Sequence, residues 1–135
     1  MTILQVVPTN YAAQVWPSVE AFFDGTQKHD IGNNTIEQMR MQVLTGNWTM
    51  IVCLVGEVIT GAFLLSFINH PNSRVAFITC CGGKAVTSRD CFVQLKTIAE
   101  SMGATKIQAC ARPSVVRMLR RVGFEQITAV VELKG

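Results

Sequence analysis

Histidine and tyrosine are scarce in this 135-residue chain, which has His29, His70 and a single tyrosine, Tyr11. So few imidazoles leave little material for a histidine base or a histidine-built metal centre. Five cysteines are present, at 53, 80, 81, 91 and 110, but no C-x-x-C pair joins them. Structural zinc needs four convergent ligands at short paired spacings, so no metal is expected. An odd set of thiols in apolar segments fits free cysteines packed as small hydrophobes in a reducing cytoplasm.

Charge is also scarce. Charged residues make up 16 % of the chain against 49 % hydrophobic residues, which argues against disorder. There are no internal repeats and no linker, and the length suits one core, so residues 1–135 are read as a single domain. The net charge of +3 is uneven: Arg112, Arg117, Arg120 and Arg121 fall in one stretch without an acid. No aromatic residue is interleaved there to stack bases, so a solvated helix face is the reading and nucleic acid is not expected as a partner.

One hydrophobic run is long enough to raise the membrane. Met50 to Ile68, "MIVCLVGEVITGAFLLSFI", has about the length of a spanning helix. Glu57 lies near its middle, where an acid costs about 2.5–3.5 kcal/mol on insertion scales. Gly56-Glu57 also divides the run into two pieces rich in β-branched residues, so a hairpin of two buried strands is expected and no membrane span. The opening "MTILQVVPTN" lacks the basic leader and apolar core of a signal peptide, consistent with a cytoplasmic setting.

Along the chain, Thr2 to Val7 reads as a strand stopped by Pro8. A helix follows, carrying Val15, Trp16, Val19, Phe22 and Phe23, and Pro17 interrupts or restarts it. Thr35 with Gln38 forms a capping box for a second helix over 36–44, ended by Gly46-Asn47. Three strands follow over 48–55, 58–68 and 74–81, with "NHPNS" as the second turn, implying an antiparallel meander. Thr87 is the expected N-cap of a helix over 88–102, with Asp90 in the reciprocal position and Gly103 as its stop. A strand over 106–112, a helix from Pro113 to Val122 closed by Gly123-Phe124, and a last strand over 126–133 complete the order β-α-α-β-β-β-α-β-α-β. The fold class is therefore α/β, or α+β, with a mixed sheet.

That order, together with "MGATKIQACARPSVVRMLRRVGFEQ", resembles the GNAT superfamily of acyl-CoA-dependent N-acyltransferases over nearly the whole chain. More narrowly, "VWPSVEAFF", the "CCGGK" loop and "ARPSVVRMLRRVGF" resemble small GNAT-like proteins encoded in bacteriophage genomes. The resemblance implies acetyl-CoA or CoA as cofactor and an amine as acceptor. It also implies a bacterial host cytoplasm as location, or association with the virion and with phage structural proteins.

A GNAT holds the pyrophosphate of coenzyme A with backbone N–H groups between its fourth strand and the next helix, where the helix dipole favours an anion. Carried over, the cofactor loop is Gly82, Gly83, Lys84, Ala85, Val86, Thr87 and Ser88. The superfamily's three key places, usually Gln or Arg, Gly, then Gly or Ala, fall on Gly82, Ala85 and Thr87. A plain glycine turn from strand to helix is the alternative reading of the same residues.

Many of these enzymes place a tyrosine and an asparagine in the last helix, and the matching positions here are Leu119 and Arg112. Glu20, Glu37 and Glu57 are the carboxylates near the expected cleft, each equally readable as a surface acid. Cys80 and Cys81 have no neighbouring histidine to activate a thiol. No catalytic residue is assigned. Two functions stay open: an N-acyltransferase that works by positioning, and a catalytically silent GNAT-fold module that binds proteins or joins the virion.

Overall fold

The computed structural model describes residues 1–24, 34–84, 86, 88–110, 113–129 and 131–134. The first strand, β1 (Thr2–Val7), leads through a 3-10 turn into α1 (Ala12–Val19). Pro17 lies inside α1 and lacks the N–H an α-helix needs, and four residues of 3-10 helix, Glu20–Phe23, follow. Next comes α2 (Ile36–Leu44), whose capping box is complete: Thr35 Oγ1 accepts from Gln38 N at 3.2 Å, and Gln38 Oε1 accepts from Thr35 N at 2.8 Å.

The meander β2 (Thr49–Val55), β3 (Val58–His70) and β4 (Ser73–Gly83) follows as expected, and the Met50–Ile68 run is indeed a hairpin. Among the described residues no helix is long and apolar enough to cross a membrane. After β4 come α3 (Arg89–Ser101), β5 (Lys106–Ala109) and α4 (Pro113–Arg120). Both late helices end on a left-handed glycine with the next amide folded back: Ala104 N donates to Ala99 O at 3.0 Å and Phe124 N to Leu119 O at 3.1 Å.

The sheet order is β1-β2-β3-β4-β5, antiparallel throughout except for the parallel β4–β5 pair. One face packs Met50, Val52, Ala62, Leu64 and Cys80 against Trp16, Val19, Phe23, Met39 and Val43 of the N-terminal helices. The other packs Leu4, Ile51, Cys53, Phe63, Leu65 and Ile78 against Cys91, Phe92 and Leu95 of α3 and Leu119 of α4. Two covered faces explain why β2 and β3 read as continuous apolar runs and not as alternation.

Three expectations need correction. Ser88, not Thr87, caps α3, its Oγ accepting from Cys91 N at 3.2 Å, and Asp90 accepts from Gln94 Nε2 at 3.1 Å; Thr87 itself lies outside the described residues. The strand expected over 106–112 is seen over Lys106–Ala109 and does not include Cys110, while Ala111 and Arg112 lie outside the described residues. The last strand, Gln126 to Leu133, does not form among the described residues, and Ile127, Val131 and Leu133 are exposed. Alternation records which side chains favour burial, not whether a partner edge lies within reach.

Candidate functional site

The site begins with a bulge. Leu64 pairs with Cys80 and Leu65 with Ile78, so Thr79 is an extra residue in β4 with no partner in β3. Its hydroxyl donates to Leu64 O at 2.8 Å, anchoring the insertion. A side chain's face alternates along a strand, so residues two apart should share one. Across the bulge they do not: Ile78 faces the α3 side while Cys80 faces the α1–α2 side.

The parallel pairing with β5 stops at the same place, its last pair being Ile78↔Ala109. A bulge adds local twist and bends its strand, which turns β4 away from β5. Cys80 to Gly83 then continue paired to β3. Among the described residues the two parallel strands thus form a fork beyond Ile78 and Ala109, with β4 running on toward the start of α3.

Beyond the fork, β4 hands over to α3 through Lys84, Val86 and Ser88. The first-turn N–H groups of Arg89 and Asp90 have no acceptor within their own helix, and the dipole of α3 places partial positive charge there. Arg89 Nη2 donates to Arg121 O at 2.8 Å, bringing the end of α4 beside the start of α3 and adding to the positive charge of that end. An extended chain with an anionic group at one end matches this layout: amides along β4, phosphate toward α3.

The loop residues are put to less uniform use than the sequence suggests. Gly82 and Gly83 are strand residues, paired with Ala62 and Gly61. A Cβ on Gly82 would lie 2.0 Å from Phe22 O, and one on Gly83, at φ 109°, would lie 2.4 Å from Thr60 O. The chain's own backbone therefore accounts for both glycines. Lys84 is exposed, but its amide donates to Thr60 O at 3.0 Å. Val86 is buried in the α3-side core, where Gly61 makes room for it. Ser88 caps α3; Ala85 lies outside the described residues.

On the catalytic side, Leu119 is buried with Phe92 and the half-buried Phe124, whose rings stand 5.1 Å apart. Arg112 lies outside the described residues. Tyr11 is exposed in the 3-10 turn after β1. Glu57 is exposed in the β2–β3 turn, Glu37 pairs with Arg40 at 3.0 Å, and Glu20 accepts from Trp16 Nε1 at 3.4 Å. Burial, then neighbouring Cys80, raises the Cys81 thiol to about 11, and burial, then Cys91 and Cys81, raises Cys53 to about 12, so neither supplies a thiolate at neutral pH. Among the described residues no three His, Cys, Asp or Glu side chains converge as a metal would require.

Sequence reasoning missed Thr79, Thr60 and Gln94. Thr60 is the extra residue of a second bulge, in β3 opposite Cys53 and Leu54, and its hydroxyl donates to Cys53 O at 3.4 Å. The available signal was a hydroxyl residue inside an otherwise apolar strand, where a hydrogen-bond partner is needed.

Neither a family model nor a curated protein matches this chain. Solved structures do. An aminoglycoside acetyltransferase from an uncultured soil metagenomic sample superposes with a TM-score of 0.70 at 12 % identity, covering 99 % of this chain and 95 % of that one. The aminoglycoside N-acetyltransferase AAC(6')-Iy in complex with CoA gives 0.68 at 10 % identity, covering 100 % and 95 %. A transcriptional regulator from Bacillus halodurans C-125 gives 0.63 at 17 % identity over 100 % of both chains. The mixed α+β fold is the GNAT-like fold of these acetyltransferases.

Proposed function

We propose that this chain is a GNAT-like domain that binds acyl-CoA and transfers the acyl group to an amine. The observation that carries this reading is the fork at Thr79, with the start of α3 beyond it. The fold likeness to a structure solved with CoA supports it. The extended arm of coenzyme A would pair with β4 over Thr79 to Gly83. Its pyrophosphate would sit toward Lys84, Ala85, Val86, Thr87 and Ser88, at the first turn of α3.

Bound acetyl-CoA supplies an activated acyl group as a thioester. This chain's part is to align that group against the acceptor amine and to present a backbone N–H near the bulge to the carbonyl oxygen as negative charge develops there. Proton transfers would fall to solvent, since Leu119 is buried hydrocarbon where a phenol would serve as acid.

A second reading has its own support. The glycines of the loop fit the chain's own backbone, and the Lys84 amide is bonded to Thr60. A fold shared with a protein described as a transcriptional regulator does not by itself fix acyl transfer. On this reading the chain is a catalytically silent module, phage-encoded and associated with the virion or with another protein. The loop would then be a degenerate cofactor loop.

Calorimetric titration with CoA and acetyl-CoA separates the two. Saturable heat with both, followed by acetyl transfer to a panel of amines, is the outcome for an enzyme. Binding without transfer leaves the silent module, and no saturable heat at millimolar ligand overturns the cofactor reading.

A further inference from the structure

The β1 edge of the sheet is covered along part of its length. Gln94 of α3 turns its amide toward the strand: Oε1 accepts from Leu4 N at 2.9 Å and Nε2 donates to Thr2 O at 2.7 Å. Further along, the sheet runs out. β1 ends at Val7 and β2 begins at Thr49, opposite Leu65, whereas β3 and β4 stay paired from Ser66↔Phe77 to His70↔Ser73. A corner of the sheet is therefore missing at the end of β1 and the start of β2, and residues from both helical layers come together there.

An open cleft of about 130 Å³ occupies that corner. Buried Val7, Ala12, Val43 and Met50 line it from the core shared with α1 and α2. Half-buried Trp48 and Met102, the residue that caps the end of α3, line it as well. So do Thr9 and Thr49, and neither hydroxyl has a hydrogen-bond partner among the described residues. Among the described residues no charged side chain lines the cleft.

Those features select a ligand class. A cleft without counter-charge penalises an ion, because desolvating a charge costs far more than apolar walls return. The volume suits a single ring, since an apolar protein cavity of about 150 Å³ takes benzene. The indole of Trp48 and the thioethers of Met50 and Met102 favour an aromatic ring over a saturated one, sulfur being attracted to the ring edge. The two hydroxyls can each give or accept a hydrogen bond from a polar substituent. We propose that this corner cleft binds a small neutral aromatic molecule of one ring that carries one hydrogen-bonding substituent. It is a second site, separate from the fork, with β2 and β3 lying between β1 and β4.

The test uses the full chain with isotope-labelled methionine methyl groups and phenol as the probe. The signals of Met50 and Met102 should shift saturably at millimolar phenol, while that of Met118 in α4, which does not line the cleft, stays in place. Benzoate, of similar size but charged at neutral pH, should shift none of them. Ala12→Leu fills the cleft and should abolish binding. Because overpacking can unfold a core, Thr9→Val with Thr49→Val serves as a second variant. It keeps the shape and removes both hydroxyls, so phenol affinity should fall about fivefold while benzene affinity and the melting temperature are kept. No saturable shift at Met50 and Met102, benzoate bound as tightly as phenol, or a phenol affinity indifferent to both variants would each overturn the proposal.

Discussion

The hydroxyl of Thr79 donates to the carbonyl of Leu64 at 2.8 Å, bonding the bulged residue of β4 across to the strand whose pairing it interrupts. Thr79→Val keeps the shape and removes that bond. The carbonyl of a buried residue loses a partner, at a cost of about 1 kcal/mol. A melting temperature lower by roughly 4 °C is expected for a domain of this size. An unchanged melt would mean that the bulge is held by packing alone.

Gly82→Ala should destabilise through a specific collision, since the new methyl would lie 2.0 Å from Phe22 O, a backbone atom that cannot swing aside. Overpacking of this kind costs about 1–3 kcal/mol. Urea denaturation should show a lower midpoint with the slope preserved. If the midpoint holds, the turn carrying Phe22 is looser than its geometry states.

Lys84→Ala should weaken CoA binding if the phosphates lie toward α3, and Lys84→Glu should weaken it further. The side chain is exposed, so the difference from wild type should shrink as salt screens the charge. Titration at two ionic strengths reads this directly. A loss that does not respond to salt would point to altered backbone at Thr60, to which the Lys84 amide donates.

No disulfide joins any of the five cysteines, and exposed Cys110 should alkylate well before buried Cys53, Cys80 and Cys91. The pH dependence follows from burial. Cys53 is raised from 9.0 to about 12 and Cys81 from 9.0 to about 11, so above pH 9 the unfolded chain loses thiol protons that the folded chain keeps. The folded state then binds more protons, and stability falls as pH rises from 9 toward the folded values. Urea midpoints across that range should decline, and less steeply in Cys53→Ala. Equal slopes in the two proteins would remove Cys53 as the cause.

Local chemistry was legible in the sequence where it was self-contained. Thr35 and Gln38 announce a helix start because each side chain satisfies the other's backbone. Gly103 and Gly123 announce helix ends because the returning amide needs a left-handed residue. The division of Met50 to Ile68 at Gly56 was legible for the same reason, a turn at φ 61° between two apolar pieces.

What was not legible depends on partners distant in sequence. Nothing near Thr79 states that Leu64 and Leu65 lie opposite, so the bulge that ends the β4–β5 pairing is silent in one dimension. Gly82 and Gly83 read as a ligand cradle because close approach is the usual reason for paired glycines, and the approaching atoms proved to be Phe22 O and Thr60 O. Alternation over Gln126 to Leu133 was real, but a strand also needs an edge, and the edge lies outside the segment.

Gln94 has a consequence for how the β1 edge meets any other strand. A sheet that can be extended at both edges propagates, each added copy offering a fresh template to the next, and the product is a fibre. Here the amide of Gln94 occupies the growing point at Leu4 N and Thr2 O. With those two groups already bonded, a strand arriving at β1 would have to displace the Gln94 amide before it could pair there.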